Sequence, residues 1–243
     1  MKSKLNLVVD YGNSAAKVGI FDNENLMEKH TFADEDELLR FLNKLNVEHL
    51  IVSSVKTDAQ QIIKWVNHNG LSMVLNYRLP LPVKNRYSTP ETLGMDRLAA
   101  VCGARQLFED ENCLVIDAGT CITFDILDKG GNYFGGAISP GLQMRFQALH
   151  TFTAKLPLIS ASDNPRLIGT STETCIQSGV INGVIAELDG IIEQYAAKYD
   201  DLQVLLCGGD TYFFEKKLKA SIFASPELVL VGLNSILIYN VTH

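Results

Sequence analysis

"LVVDYGNSAAKVGIF", Leu7 to Phe21, is a strand-like apolar run that ends in Asp10, turns at Gly12 and resumes as a second strand-like run. "LVIDAGTCITFDILD", Leu114 to Asp128, does the same around Asp117 and Gly119. Alternating β-branched and apolar residues on either side of Asp, Asn and Gly are the signature of a hairpin. One such hairpin is commonplace. Two in equivalent settings raise the question of whether the whole chain is repeated.

The flanking sequence predicts that it is. Residues 5–10, 16–21 and 25–32 read as three strands, with "NSAA" and "DNEN" supplying the turns. Residues 34–45 follow as an amphipathic helix with an acidic first turn. A buried strand over 49–55, a helix over 58–70 and a strand over 71–75 complete the first set. The stretch 78–92, "RLPLPVKNRYSTPET", holds three prolines and reads as a loop. Helical periodicity returns over 94–108. Strands at 113–117, 121–127 and 131–137 and a helical segment from about 140 then repeat the plan. A long helix over 171–199, interrupted near its glycines, a strand over 203–210 entering a glycine turn, and a closing strand and helix finish the chain. The expected fold is therefore α/β, two βββαβα halves spanning 1–110 and 111–243. Side-by-side halves leave a cleft, and small ligands favour clefts at domain boundaries.

Bulk properties narrow the chemistry. The 243 residues suit two modest domains, and the apolar fraction of 47% fills two cores. A formal net charge of −7 argues against nucleic-acid binding, which needs a basic face. Cys102, Cys113, Cys121, Cys175 and Cys207 are scattered, without a C-x-x-C pair or a Cys/His cluster. That pattern suggests neither a disulfide framework nor a zinc site, and fits reduced thiols in the cytoplasm. Lys2 and Lys4 precede an apolar run that Asp10 breaks too soon for a signal peptide. No membrane span is expected.

In the first hairpin, Asp10-Tyr11-Gly12-Asn13-Ser14-Ala15-Ala16-Lys17, the glycine lets backbone approach a phosphate without a Cβ in the way. Turn amides and the Asn13 and Ser14 side chains are donors to phosphate oxygens, and Lys17 adds a positive charge. Ionised Asp10 cannot donate to phosphate, so it faces a cation or water. Asp117-Ala118-Gly119-Thr120 offers the same set without a lysine. Two such loops are suited to clamping a polyphosphate and its metal. "VLLCGGD" adds Gly208, Gly209 and Asp210 after a strand, where backbone is open to a base and ribose.

Together these elements resemble the phosphate and adenosine motifs of the acetate and sugar kinase/chaperone/actin superfamily. "DYGNSAAK", "RYSTPETLGMDRLAAVCGA", "LVIDAGTCITFDILD", "GNYFGGAISPGLQMRFQALHTFTAKLP" and "IGTSTETCIQSG" resemble, in order and almost end to end, the signature blocks of type III pantothenate kinases. Ser14 departs from the family's usual threonine but keeps the hydroxyl. The resemblance implies a duplicated actin-like (ribonuclease H-like) fold with the active site in the cleft between the halves. It implies ATP-dependent phosphorylation of pantothenate, the first step of coenzyme A synthesis. ATP would arrive with Mg²⁺, on the loop from Asp10 to Lys17 and on Thr120.

By match to the family's Gly-x-Asp-Arg block, Asp96 is the catalytic base. Tyr87, Gly94, Met95, Asp96, Arg97 and Thr172 correspond to pantothenate-contacting positions. Asp117 corresponds to the holder of a monovalent cation, K⁺ or NH₄⁺. Each residue type also has an ordinary structural explanation: an acid at a helix N-terminus for Asp96, an ion pair for Arg97, a helix cap for Thr172 with Ser171. The resemblance further implies a homodimer. The 171–199 helix is compatible with one, because Ile176, Val180, Ile181, Val184, Ile185, Leu188, Ile191 and Ile192 exceed one narrow stripe. Burial inside its own chain accounts for them equally. The competing expectation is a nucleotide-binding regulatory factor without kinase activity.

Overall fold

A computed structural model describes residues 5–243; Lys2 and Lys4 lie outside them. In chain order the elements are β1 (Leu5–Tyr11), β2 (Ala16–Asp22), β3 (Asn25–Phe32), α1 (Glu35–Leu42), β4 (Asn46–Val47), β5 (His49–Ser54), α2 (Ala59–Lys64), β6 (Asn67–His68), β7 (Ser72–Val74), β8 (Lys84–Asn85) and α3 (Met95–Leu107). They continue with β9 (Cys113–Ala118), β10 (Cys121–Leu127), β11 (Asn132–Pro140), α4 (Leu142–Thr151), α5 (Thr172–Ala196), β12 (Gln203–Cys207), α6 (Thr211–Phe214), β13 (Phe223–Ala224) and α7 (Leu228–Thr242).

The repeat is visible in the sheets. The first has the order β3-β2-β1-β5-β7, with β1–β2 and β2–β3 antiparallel and β1–β5 and β5–β7 parallel. The second runs β8-β11-β10-β9-β12-β13; from β11 onward the order of roles is the same, with β9–β10 antiparallel and β9–β12 and β12–β13 parallel, and the short β8 adds a parallel edge strand beside β11.

By contacts the chain forms two compact units. Among the described residues, one comprises 5–109, 131–133 and 227–243; the other comprises 110–130 and 134–226. The sequence repeat cuts the chain once, between 110 and 111. The contacts instead return α7 to the first unit, where it packs on α3 and on β1, β2 and β5. The reason is glycine at the crossing: a Cβ on Gly232 would lie 1.7 Å from the Ala99 carbonyl oxygen, and one on Gly103 2.5 Å from that of Leu228. Backbones this close exclude any side chain. A buried polar contact fixes the register. Asn6 Nδ2 donates to Asn234 Oδ1 at 3.0 Å, and Asn234 Nδ2 donates to the Asn23 carbonyl at 2.8 Å.

In the first unit, Leu7, Val9, Val18 and Val52 pack with Leu38 and Leu42 of α1 and Ile62 of α2. Asp34 caps α1, accepting from Glu37 N at 3.0 Å. The helix expected over 58–70 is shorter: it ends at Lys64, because residues 67 and 68 leave to pair with β4. The proline-rich loop contains two ordered pieces, β8 and a 3₁₀ turn at Pro90–Thr92.

In the second unit, α5 is one unbroken helix. A capping box between Ser171 and Thr174 starts it, and its apolar face packs on Leu114, Ile116, Phe124 and Leu206. The expected interruption is absent because Gly179, Gly183 and Gly190 each meet only open space, costing about 1 kcal/mol apiece in propensity. By length and composition α5 would suffice to cross a membrane, which the sequence reading did not anticipate. Its buried residues, including the polar Ser178 and Asp189, belong instead to a domain core.

Candidate active site

The first loop is held at its neck. β1 and β2 pair up to Tyr11 and Ala16, and Gly12 N donates to the Ala15 carbonyl at 3.1 Å, leaving Asn13 and Ser14 exposed at the tip. Asp10 and Lys17 are cross-strand partners, so their side chains share a face. Ser53, the partner of Asp10 across the parallel pair with β5, donates to its carboxylate. Burial pushes the Asp10 carboxyl up to about 6. Lys17 and the Ser53 hydrogen bond oppose that rise, and the negative charge of Asp96 adds to it. Tyr11 ties the base of the loop to α1, its hydroxyl donating to Glu35 Oε2 at 3.3 Å.

Asp96 stands in the first turn of α3, exposed, after a Gly94 N-cap. Its Oδ1 accepts from Arg97 N at 2.8 Å and lies where a Cβ on Gly94 would come within 2.5 Å. Glycine at 94 therefore lets the carboxylate fold back over the helix start. Next to it, buried Arg97 lies over the Tyr87 ring, 5.7 Å from guanidinium to centroid. Met95 is half-buried at the first position of the helix. Asp10, Lys17 and Asp96 thus form one charged group, and Tyr87 with Arg97 an adjoining aromatic–cationic one.

In the second unit, Asp117 is the penultimate residue of β9, and Gly119 N donates to the Cys121 carbonyl at 3.0 Å. This loop is shorter than the first, and Thr120 is its exposed tip. The glycine turn after β12 abuts it. Gly208 sits at φ +92°, and a Cβ there would lie 2.4 Å from both Asp117 Oδ1 and the Ala118 carbonyl. Asp210 N donates to that same carbonyl at 2.9 Å, and burial raises the Asp210 carboxyl. The Asp117 loop and the Gly208-Gly209 turn are therefore a single built surface, as sequence order alone does not reveal.

Thr172 is apart from this surface, in a groove of about 1230 Å³ between α4 and α5 that Arg145, Phe152 and Cys175 also line. Ser171, not Thr172, makes the cap, so the Thr172 hydroxyl is not spent on the helix end. Arg145 is anchored by Glu187 Oε2 at 2.7 Å and Ser139 Oγ at 2.9 Å. The sequence reading missed Ser53, Arg145 and Gly141, whose Cβ would meet the Gly119 carbonyl at 2.2 Å. Ser53 was reachable in principle: it falls opposite Asp10 once the parallel register of β1 and β5 is drawn.

The family model for type III pantothenate kinase matches residues 6–194. A curated type III pantothenate kinase from Christiangramia forsetii is 43% identical over 98% of this chain and 100% of its own. Among solved structures, a Baf family protein from Campylobacter jejuni superposes with a TM-score of 0.63 at 22% identity, covering 98% of this chain and 100% of that one. A glucokinase from an Antarctic psychrotroph does so at 0.51 and 11% identity, covering 97% and 99%. The fold is thus the duplicated actin-like one shared with sugar kinases.

Proposed function

Because the chain belongs to the type III pantothenate kinase family, we propose that it transfers the γ-phosphoryl group of ATP to the primary hydroxyl of pantothenate, the first step of coenzyme A synthesis. The observation that carries the reading is Asp96, an exposed carboxylate folded over the N-terminus of α3 inside the charged group of Asp10 and Lys17. In the reaction the acceptor oxygen bonds to the γ-phosphorus as the bond to the bridging oxygen of ADP breaks. Asp96 takes the hydroxyl proton. A carboxylate suits this, because in a loose transition state the proton leaves late.

The turn amides of 12–15 with Asn13, Ser14 and Lys17, and Thr120 in the second unit, are donors for the triphosphate. Tyr87, the 94–97 turn and Thr172 are the acceptor contacts. Among the described residues no cluster of three His, Cys, Asp or Glu could cage a metal. A divalent ion therefore fits best as Mg²⁺ carried on the phosphates with its waters, neutralising charge. Asp117, beside a glycine turn that leaves its carboxylate room, suits a K⁺ or NH₄⁺ ion.

We further propose a homodimer. The apolar residues of α5 named above are taken up by its own unit, so they do not argue for one. Support comes instead from the stripe of Gly179, Gly183 and Gly190, where a side chain would meet open space, and from the strongly exposed Phe152, Leu167 and Ile168. The substrates, and cysteines that form no disulfide among the described residues, fit the cytoplasm. The decisive assay measures ADP release with ATP, Mg²⁺ and K⁺, with and without pantothenate, and identifies the phosphorylated product by mass spectrometry. Nucleotide binding without pantothenate-dependent ADP release would favour a regulatory factor.

A further inference from the structure

The acceptor group around Tyr87 is built on three residues that the chain reaches only much later. The strip 131–133 belongs to the first unit, although it follows β10 in sequence. It pairs in parallel with β8: Lys84 N donates to the Gly131 carbonyl at 2.7 Å and Arg86 N to the Tyr133 carbonyl at 2.8 Å. Arg86 Nε adds a bond to Asn132 Oδ1 at 3.1 Å. Tyr133 is fully buried, and its ring lies nearly parallel to that of Tyr87, 10° apart with centroids at 6.3 Å. Arg97 covers the same Tyr87 ring. Asn85 Oδ1 accepts from Tyr87 N at 2.9 Å, so the backbone of Tyr87 is pinned as well.

Tyr87 sits in the proline-rich loop, where no long element holds it. A half-buried ring in a loop would sample several rotamers unless packing selects one. The buried ring of Tyr133 and the guanidinium of Arg97 both meet the Tyr87 ring, and together they select its orientation. We propose that Tyr133, with Asn132 beside it, is a positioning residue for the acceptor. It acts through Tyr87 and not by touching the substrate. The inference rests on the reading of Tyr87 and Arg97 as pantothenate contacts.

Two measurements test it. Steady-state kinetics should give Tyr133→Leu a pantothenate KM raised by about threefold to tenfold, the worth of one aromatic pair. KM for ATP should change by less than about twofold. Tyr133→Phe, which keeps the ring, should recover most of the loss. In a Tyr87→Ala background Tyr133→Leu should add nothing further to the pantothenate KM. Asn132→Ala leaves the core intact and should shift the same KM in the same direction, which keeps the test open if Tyr133→Leu does not fold. Hydrogen exchange over 84–88 should be at least about tenfold faster in Tyr133→Leu and faster in Asn132→Ala, with the rest of β1 and β5 unchanged. Equal rises in both KM values, additivity with Tyr87→Ala, or unaltered exchange over 84–88 overturns the proposal. Absence of pantothenate-dependent turnover in the unsubstituted protein instead overturns the functional reading, and the exchange result then still decides whether Tyr133 orders Tyr87.

Discussion

The carboxylates of Asp10 and Asp96 lie within each other's field although one stands next to last in a strand and the other second in a helix. Two like charges so placed are costly unless a cation stands by. Lys17, on the strand neighbouring Asp10, supplies one of them. Asp96→Asn removes the proton acceptor while reducing that repulsion. It should therefore fold at least as stably as the parent and bind ATP, yet lose about 10²–10⁴-fold in kcat. Single-turnover kinetics with a parallel nucleotide titration checks both halves; a folded Asp96→Asn protein with near-normal turnover removes Asp96 as the base.

Asp10 ties stability to pH. Its carboxyl is raised to about 6 in the fold, from 3.8 without it. The folded state therefore holds the proton over a range where the unfolded chain has released it. Stability from this group is fully present below about 3.8 and is lost as pH rises through about 6. Facing groups are Lys17, Asp96 and Ser53. Asp10→Asn should accordingly melt higher than the parent at pH 8 and show no advantage at pH 4. Paired thermal melts across that interval test the sign, and a constant difference at both ends contradicts it.

How much of this was legible beforehand depends on the range of the interaction. The strands around Asp10 and Asp117 were readable because alternation and turn residues are local signals. The single helix α5 was not, because its outward glycines look like breakers until the buried face beneath them is known. The return of α7 to the first unit was likewise hidden, since Gly103 and Gly232 meet only after folding. In the site, the loops announced themselves by composition. Ser53 and the strip 131–133 did not, because each acts through register with a distant strand.

Gly208 is the position where the second loop tolerates no side chain. At φ +92° an L-residue is strained by about 1–3 kcal/mol, and its Cβ would press on Asp117 Oδ1. Gly208→Ala should lower the denaturation midpoint and weaken ATP binding together. Gly209→Ala, which meets nothing within 4 Å, should leave the midpoint nearly unchanged. Chemical denaturation of the pair is the check, and equal midpoints contradict the packing argument.

Asp117 should confer a cation requirement. Turnover is expected to depend on K⁺ or NH₄⁺, to fall steeply when tetramethylammonium replaces them, and to lose both rate and cation response in Asp117→Ala. The reason is charge: ATP adds several negative groups near acidic residues of a chain already at −7. Equal rates in K⁺ and tetramethylammonium refute the role.

The last expectation concerns assembly. Gly179, Gly183 and Gly190 recur at intervals that keep them on one face of α5, and each opens onto space. A smooth face of this kind lets a second helix approach to backbone contact, the geometry small residues permit. The neighbouring groove is apolar, and Phe152 at its rim is 85% exposed. A second copy covering this side would bury both, and would bring its weight to bear on Thr172, which lines the same groove. Gly183→Arg should then dissociate the dimer without unfolding the subunit, because the side chain enters open space in one chain and a collision in two. Specific activity should fall with the dimer fraction on dilution, and the substitution should reproduce that fall at high concentration. Sedimentation equilibrium finding a monomer where specific activity is full, or an unchanged dimer in Gly183→Arg, rules out this face as the interface.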